Sequence, residues 1–303
     1  MYQRYRPTCF DEVIGQESAV KVLQKLLESK RVPHAILFTG PSGCGKTTLA
    51  RIMASELDCV DMDLQEINSA DFRGIDSIRE IRKQVGYKPL GKSRIWILDE
   101  FHQQTKASQE AMLKILEDTP KWAYFFLCTT DPGKLITTVK TRCTEVRVQS
   151  LSREYLYHLM TPICEEEGIE FTETVFDRII EVAEGSARKA LVLLESILEL
   201  DTEEEQLNAI LSNETKEQGI AVARALLKSK GVGSWKSVAT VLANVDEEPE
   251  TIRHIILGYM TTVLLSGGPQ APKAYEIIQC FRDNLFDSKK AGLVASCYEV
   301  LTR

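Results

Sequence analysis

Gly40-Pro-Ser-Gly-Cys-Gly-Lys46-Thr47 matches the spacing G-x-x-x-x-G-K-[ST], between the apolar run Ala35–Thr39 and a helical pattern with Leu49, Ile52, Met53 and Leu57 on one face. Residues Gly40, Pro41, Ser42, Gly43, Cys44 and Gly45 form a loop whose glycines let backbone N–H groups turn inward around phosphates. Lys46 brings a point charge to the outer phosphate oxygens, and Thr47 brings a hydroxyl to Mg²⁺. Thr48 follows at the helix start, where the helix dipole favours an anion. A second constellation, Ile95-Trp-Ile-Leu-Asp99-Glu100, sets two carboxylates at the end of a four-residue apolar strand. In a parallel sheet that end lies next to the phosphate loop. Asp99 is then placed to share Mg²⁺ with Thr47, and Glu100 to polarise an attacking water. Alone, such a run is also an ordinary strand with a capping Asp; the pair of motifs favours phosphate chemistry.

Elements that could position these residues are visible around them. Ala35–Thr39, Asp63–Asn68, Arg94–Asp99, Tyr124–Thr130 and Glu145–Val148 read as strands, with helical patterns at Ile75–Val85 and Ser108–Glu117 and a short turn near Pro132–Val139. Strands alternating with helices predict an α/β domain over residues 1–149 with a mostly parallel sheet. Beyond residue 150 the strand signal stops. Arg153–Glu167, Glu173–Glu184 and Ala187–Leu200 are amphipathic and predict a small helical domain over 150–204, closed by the acidic Asp201–Glu205. Lys216–Ser229, Ser234–Leu242, Pro249–Leu265, Pro272–Leu285 and Ser288–Leu301 predict an all-helical domain over 205–303.

Composition excludes several classes. The 303 residues are 44% hydrophobic and 27% charged, as in a soluble globular protein. The most apolar stretch, Ile255 to Leu265, is too short to span a bilayer. The N-terminus lacks the apolar core of a signal peptide, so a cytosolic protein without a membrane partner is expected. Eight cysteines contain no Cys-x-x-Cys pair, which predicts buried free thiols rather than a zinc site. A net charge of −7 argues against nonspecific coating of nucleic acid. Yet Arg73 to Lys114 holds nine Lys/Arg against five Asp/Glu, a local +4 that fits a confined contact with phosphates or a solvated helix face.

The two phosphate motifs, followed in order by Thr129-Thr130-Asp131-Pro132, Thr141-Arg142-Cys143 and Gly185-Ser186-Ala187-Arg188, resemble an AAA+ ATPase of the clamp-loader clade. Tyr5-Arg6-Pro7, Phe10 to Gln16 and Pro33-His34-Ala35 are similar to that clade as well. The bacterial gamma/tau subunit and the replication factor C small subunits are the families concerned. The likeness covers the chain to about residue 200; the rest fits a helical collar without a specific motif.

The resemblance implies ATP and Mg²⁺, with adenine near Val13, Ile14 and Gly15 and with Tyr5 and Pro7 covering it. Thr130, or Thr129 beside it, becomes the polar sensor of the γ-phosphate. Arg188 becomes a second sensor acting in its own subunit, although a solvated helical Arg has the same pattern. Arg142, with Thr141 in place of the usual Ser, becomes a finger that completes a neighbour's site; on residue type alone it also fits a surface ion pair. A site completed in trans demands a head-to-tail assembly, hence a ring or open spiral with other loader subunits. Arg73, Arg79, Arg82, Lys83, Lys106 and Ser108 become contacts to the backbone of primer–template DNA. Gly74–Lys88 becomes a grip on a sliding clamp, although Ile75, Ile78 and Ile81 are spaced to pack on the sheet.

There are departures from the gamma/tau pattern. No four-Cys zinc module lies between the phosphate loop and Asp99, where only Cys59 occurs. That points to the zinc-free loaders or to a phage version, while Phe101-His102 is closer to the bacterial pattern. No tau-like extension is expected. Three other readings use parts of the same residues. A branch-migration translocase would need a winged-helix C-terminal domain. A solitary P-loop kinase would not need Arg142, and an inert scaffold would not need Lys46, Asp99 and Glu100.

Overall fold

The computed structural model describes residues 1–69, 74–200, 202–229, 231–245 and 247–303, without the side chain of residue 214. They form two compact units, Met1–Leu198 and Glu199–Arg303.

In the first unit five parallel strands make one sheet in the order β2-β3-β4-β1-β5. They are β1 (Ala35–Thr39), β2 (Leu64–Asn68), β3 (Arg94–Asp99), β4 (Ala123–Thr129) and β5 (Thr144–Arg147). β1, β3 and β4 are buried nearly throughout because helices cover both faces, and so they read as continuous apolar runs. Their side chains still alternate between the two faces. Ile36, Phe38, Ile95, Ile97, Phe126 and Cys128 pack with Leu23 of α1 (Glu17–Glu28) and with Leu49, Ile52 and Met53 of α2 (Lys46–Glu56). Leu37, Trp96, Leu98, Phe125 and Leu127 pack with Ile78 and Ile81 of α3 (Ile75–Val85), Met112 and Ile115 of α4 (Lys106–Glu117), and Val139 of α5 (Thr137–Lys140).

β4 lies between β1 and β3, with Thr39 opposite Thr129 and Leu98 opposite Leu127. This order puts the loop after β1, the carboxylates after β3 and the threonines ending β4 at one edge. The unit continues with α6 (Arg153–Glu167), α7 (Glu173–Ala183) and α8 (Ala187–Ile197). Their buried Leu156, Met160, Ile163, Val175, Ile179, Leu191 and Leu194 supply a helical core.

The second unit contains α9 (Glu203–Lys228), α10 (Trp235–Ala243), α11 (Pro249–Leu265), α12 (Ala271–Cys280) and α13 (Lys289–Thr302). A core of Val222, Leu226, Ile252, Ile256, Ile277, Phe281, Leu293 and Cys297 joins them. Glu250 and Arg253, both buried, form an ion pair, and Glu250 also accepts from the Leu285 N–H at 2.7 Å. The Arg253 guanidinium holds the Glu250 carboxyl down at about 2.

Three sequence expectations change. α4 begins at Lys106 rather than Ser108, because Thr105 caps it by accepting from the Ser108 N–H at 3.2 Å. The helix expected over Lys216–Ser229 begins earlier, at Glu203, so that Glu203–Glu205 form its first turn: Thr202 caps the helix and Glu205 accepts its hydroxyl at 2.8 Å. Carboxylates there face the positive helix end. α1 adds an element that the sequence reading does not contain. All eight cysteines are free, and no helix among the described residues is long and apolar enough to cross a membrane.

Candidate nucleotide site

The residues after β1 take the backbone shape that the glycines permit. Gly43 has φ +74, and a Cβ there would lie 2.2 Å from Ser186 Oγ and 3.1 Å from Arg188 Cβ. Only glycine lets the loop pass so close to the start of α8. At Gly40 a Cβ would meet the Val148 carbonyl oxygen at 2.0 Å. A main-chain bond joins the two pieces, since Arg188 N–H donates to the Gly43 carbonyl at 3.2 Å. Gln16 adds a second tie: its amide donates to the Gln149 carbonyl at 2.7 Å and to the Cys44 carbonyl at 3.4 Å, and its oxygen accepts from Gln149 N–H at 3.0 Å.

Lys46 is buried and donates to the Gly40 and Pro41 carbonyls at 2.9 and 2.7 Å. Burial lowers its pKa, opposed in part by nearby Glu100 and Asp99. The Thr47 hydroxyl donates to Asp99 Oδ2 at 2.9 Å. Two hard oxygens at one point suit Mg²⁺, which usually takes few protein ligands and completes its shell with phosphate oxygens and water. Glu100 sits in the left-handed region with φ +50, and its N–H donates to Asp99 Oδ1 at 2.9 Å. This turn separates the two carboxylates.

A single cavity of about 120 Å³ joins these parts. Ser42, Gly43, Cys44, Gly45, Lys46, Thr47, Thr48, Asp99 and Glu100 line it, as do Val13 and Ile14, Tyr5 and Pro7, and Arg188 with Leu191 of α8. Cys44 is buried, its thiol turned to the Gly185 carbonyl at 3.5 Å, and burial raises its pKa. Arg188 lies over the Tyr2 ring at 5.8 Å. Arg6 also lines the cavity; burial lowers its pKa, and the positive charges of Arg51 and Arg188 add to the effect. A pocket that gathers Arg6, Lys46 and Arg188 fits a polyphosphate. Gln16 bonds to segments far along the chain, and Arg6 reaches the same cavity from the N-terminus, so neither leaves a local pattern in the sequence.

Thr130 is half-buried just past β4 and does not line the cavity. Its neighbour Thr129 is fully buried, close to His102 Nδ1 (3.2 Å) and accepting from Asp131 N–H (3.1 Å). Arg142 does not line the cavity either. It lies just past α5, donates to the Thr138 carbonyl at 2.9 Å and pairs with Glu117 at the end of α4.

Of the expected DNA contacts, Arg79, Arg82, Lys83 and Lys106 are exposed on α3 and α4, and Arg79 pairs with Asp76 at 2.9 Å. Ser108 is a correction: it is fully buried and its N–H is spent on Thr105, so it offers nothing to a phosphate. Arg73 lies outside the described residues. Ile78 and Ile81 belong to the sheet-facing core.

Strand order, phosphate loop and paired carboxylates together define a P-loop module of the AAA+ type. The fold likeness agrees: the RuvB Holliday junction branch migration motor of Thermotoga maritima matches with a TM-score of 0.58 at 20% identity, covering 79% of this chain and 85% of that one. Within that class the chain resembles clamp-loader subunits. A family profile described as "DNA polymerase III, delta subunit" matches residues 15–70 and 61–152. DNA polymerase III subunit gamma/tau of Mycobacterium tuberculosis H37Rv is 34% identical over 65% of this chain and 38% of its own length. Subunit tau of Escherichia coli K12 is 30% identical over 76% of this chain and 40% of its own, and that of Bacillus subtilis 168 is 33% identical over 65% and 39%. The chain thus spans about 40% of the length of these relatives.

Proposed function

We propose that the chain is an ATPase subunit of a sliding-clamp loader, in which ATP binding drives the opening of a clamp and the capture of primer–template DNA, and hydrolysis releases the clamp. The observation that carries this reading is a division of labour: one cavity is lined by the phosphate loop, both carboxylates and Arg188, while Arg142 lies outside that lining, just past α5. A finger outside its own pocket suits a neighbour's pocket, and so an assembly of loader subunits.

Thr47 and Asp99 would hold Mg²⁺, which would supply positive charge beside the phosphates. Lys46 would move from the loop carbonyls to phosphate oxygens. Glu100 orients the attacking water, and Thr130, just past the strand between the two motifs, reads the γ-phosphate. Val13 and Ile14 bind adenine, and Arg188 sets the position of its helix according to nucleotide occupancy. Arg142 of the adjoining subunit supplies positive charge as negative charge builds on the transferred group. Residues 150–204 act as the lid, residues 205–303 as the collar. Arg79, Arg82, Lys83 and Lys106 track DNA phosphates without reading sequence.

The test is ATP turnover with and without primed DNA and a clamp. Stimulation by both together supports a loader, and turnover indifferent to both rejects it. The RuvB likeness gives a second reading, a ring translocase. The second unit counts against it, because its described residues contain no strand with which to build a winged helix.

A further inference from the structure

We propose that His102 is a positioning residue for Glu100, sharing one ring nitrogen between Glu100 and Gln103. His102 is nearly buried, its side chain 6% exposed, in the turn that follows β3. Its Nδ1 lies 3.2 Å from the Thr129 hydroxyl, at the end of β4. Its Nε2 lies 3.4 Å from Glu100 Oε2 and 2.9 Å from the Gln103 amide nitrogen. One imidazole therefore connects the strand that ends at the sensor threonines with the carboxylate that faces the cavity.

A neutral imidazole has one N–H and one acceptor, so these partners cannot all be satisfied together. In one tautomer the N–H is on Nε2, which lies near Glu100 Oε2 and can close on it by a small side-chain movement, and Nδ1 accepts from the Thr129 hydroxyl. In the other Nδ1–H donates to Thr129, and Nε2 accepts from the Gln103 amide, which leaves the carboxylate unheld. The Thr129 hydroxyl serves either arrangement, donating in the first and accepting in the second. That oxygen also accepts from Asp131 N–H across Thr130. The backbone of Glu100 is already fixed: its N–H is bound to Asp99 and its carbonyl accepts from Gln103 N–H at 2.8 Å. The ring thus selects among side-chain positions of Glu100 without remaking the turn. Groups that orient a reacting residue from behind commonly change rates by one to two orders of magnitude.

The inference rests on Glu100 as the residue that orients water. The experiment uses the full chain in its assembly with primed DNA and clamp, measuring turnover and, separately, the Kd of a fluorescent ATP analogue. His102→Ala is expected to lower kcat roughly 10- to 100-fold with Kd changed less than about 3-fold. His102→Gln, which reaches the Nε2 position, recovers most of the rate; His102→Asn, which reaches only the Nδ1 position, does not. In a Glu100→Gln background, His102→Ala causes no further loss. Equal behaviour of Gln and Asn, or a Kd that weakens as much as kcat, makes the ring a support for the turn and overturns the proposal. Normal turnover in His102→Ala overturns it too. If Glu100→Gln alone turns over normally, it is the assignment of Glu100 that fails.

Discussion

Two arginines at the edges of the first unit show how similar side chains take different tasks. Arg188 begins a helix whose backbone touches the phosphate loop, and its guanidinium faces the cavity over the Tyr2 ring. Among the described residues no carboxylate pairs with it. Arg142 lies beyond α5, away from the cavity, and is held by Glu117 and the Thr138 carbonyl. One arginine belongs to its own pocket; the other is parked on its own surface with its charge balanced. The contrast is one of partners: Arg142 keeps Glu117, and Arg188 keeps the face of Tyr2.

Substitutions can break this contrast, beginning with the largest effect. Arg142→Ala is expected to cut turnover of the assembly roughly 10³-fold while leaving nucleotide binding by the isolated chain unchanged. A mixture with Lys46→Ala chains should regain part of the loss, because each variant supplies what the other lacks; turnover no greater than that of either variant alone ends the idea of a shared site. Gly43→Ala should cost about 1–3 kcal/mol by forcing a side chain into the start of α8 at a left-handed backbone, read as a lower Tm that nucleotide no longer raises. Arg188→Ala should weaken nucleotide binding by the isolated chain about tenfold. An unchanged Kd there would erase the contrast, since both arginines would then be surface charges.

Smaller effects sharpen it. Arg82→Ala and Lys106→Ala should each lower the slope of log Kd for DNA against log salt by about one charge, and unchanged slopes would reject those contacts. Glu117→Gln should alter stability by less than about 1 kcal/mol, because its pair with Arg142 is partly solvated. A larger loss in thermal unfolding would make that pair structural.

The parts legible in the sequence were those governed by short spacing. The glycine loop, the apolar run into Asp99 and the strand–helix alternation all appear within a dozen residues. α1 was missed because Gln16 caps it without a side-chain bond to its N–H groups, so no start signal precedes its apolar face. The start of α4 was misplaced because Thr105 and Ser108 are both plausible caps, and only the backbone shows Thr105 accepting. At α9 the spacing Thr202 to Glu205 is a capping box, and the acidic run obscured it. Gln16 and Arg6 could not be assigned from spacing, because each acts on segments far along the chain. Nor does spacing show that Ser108 is buried, since that depends on how α4 seats against the sheet.

The tie from Arg188 N–H to the Gly43 carbonyl belongs to the main chain, and no substitution at 188 short of proline removes it. A tilt of α8 therefore tugs directly on the curl of peptide that wraps the triphosphate. Grip and tilt become a single mechanical coordinate, so whatever moves the helix also works the loop without reaching into the pocket.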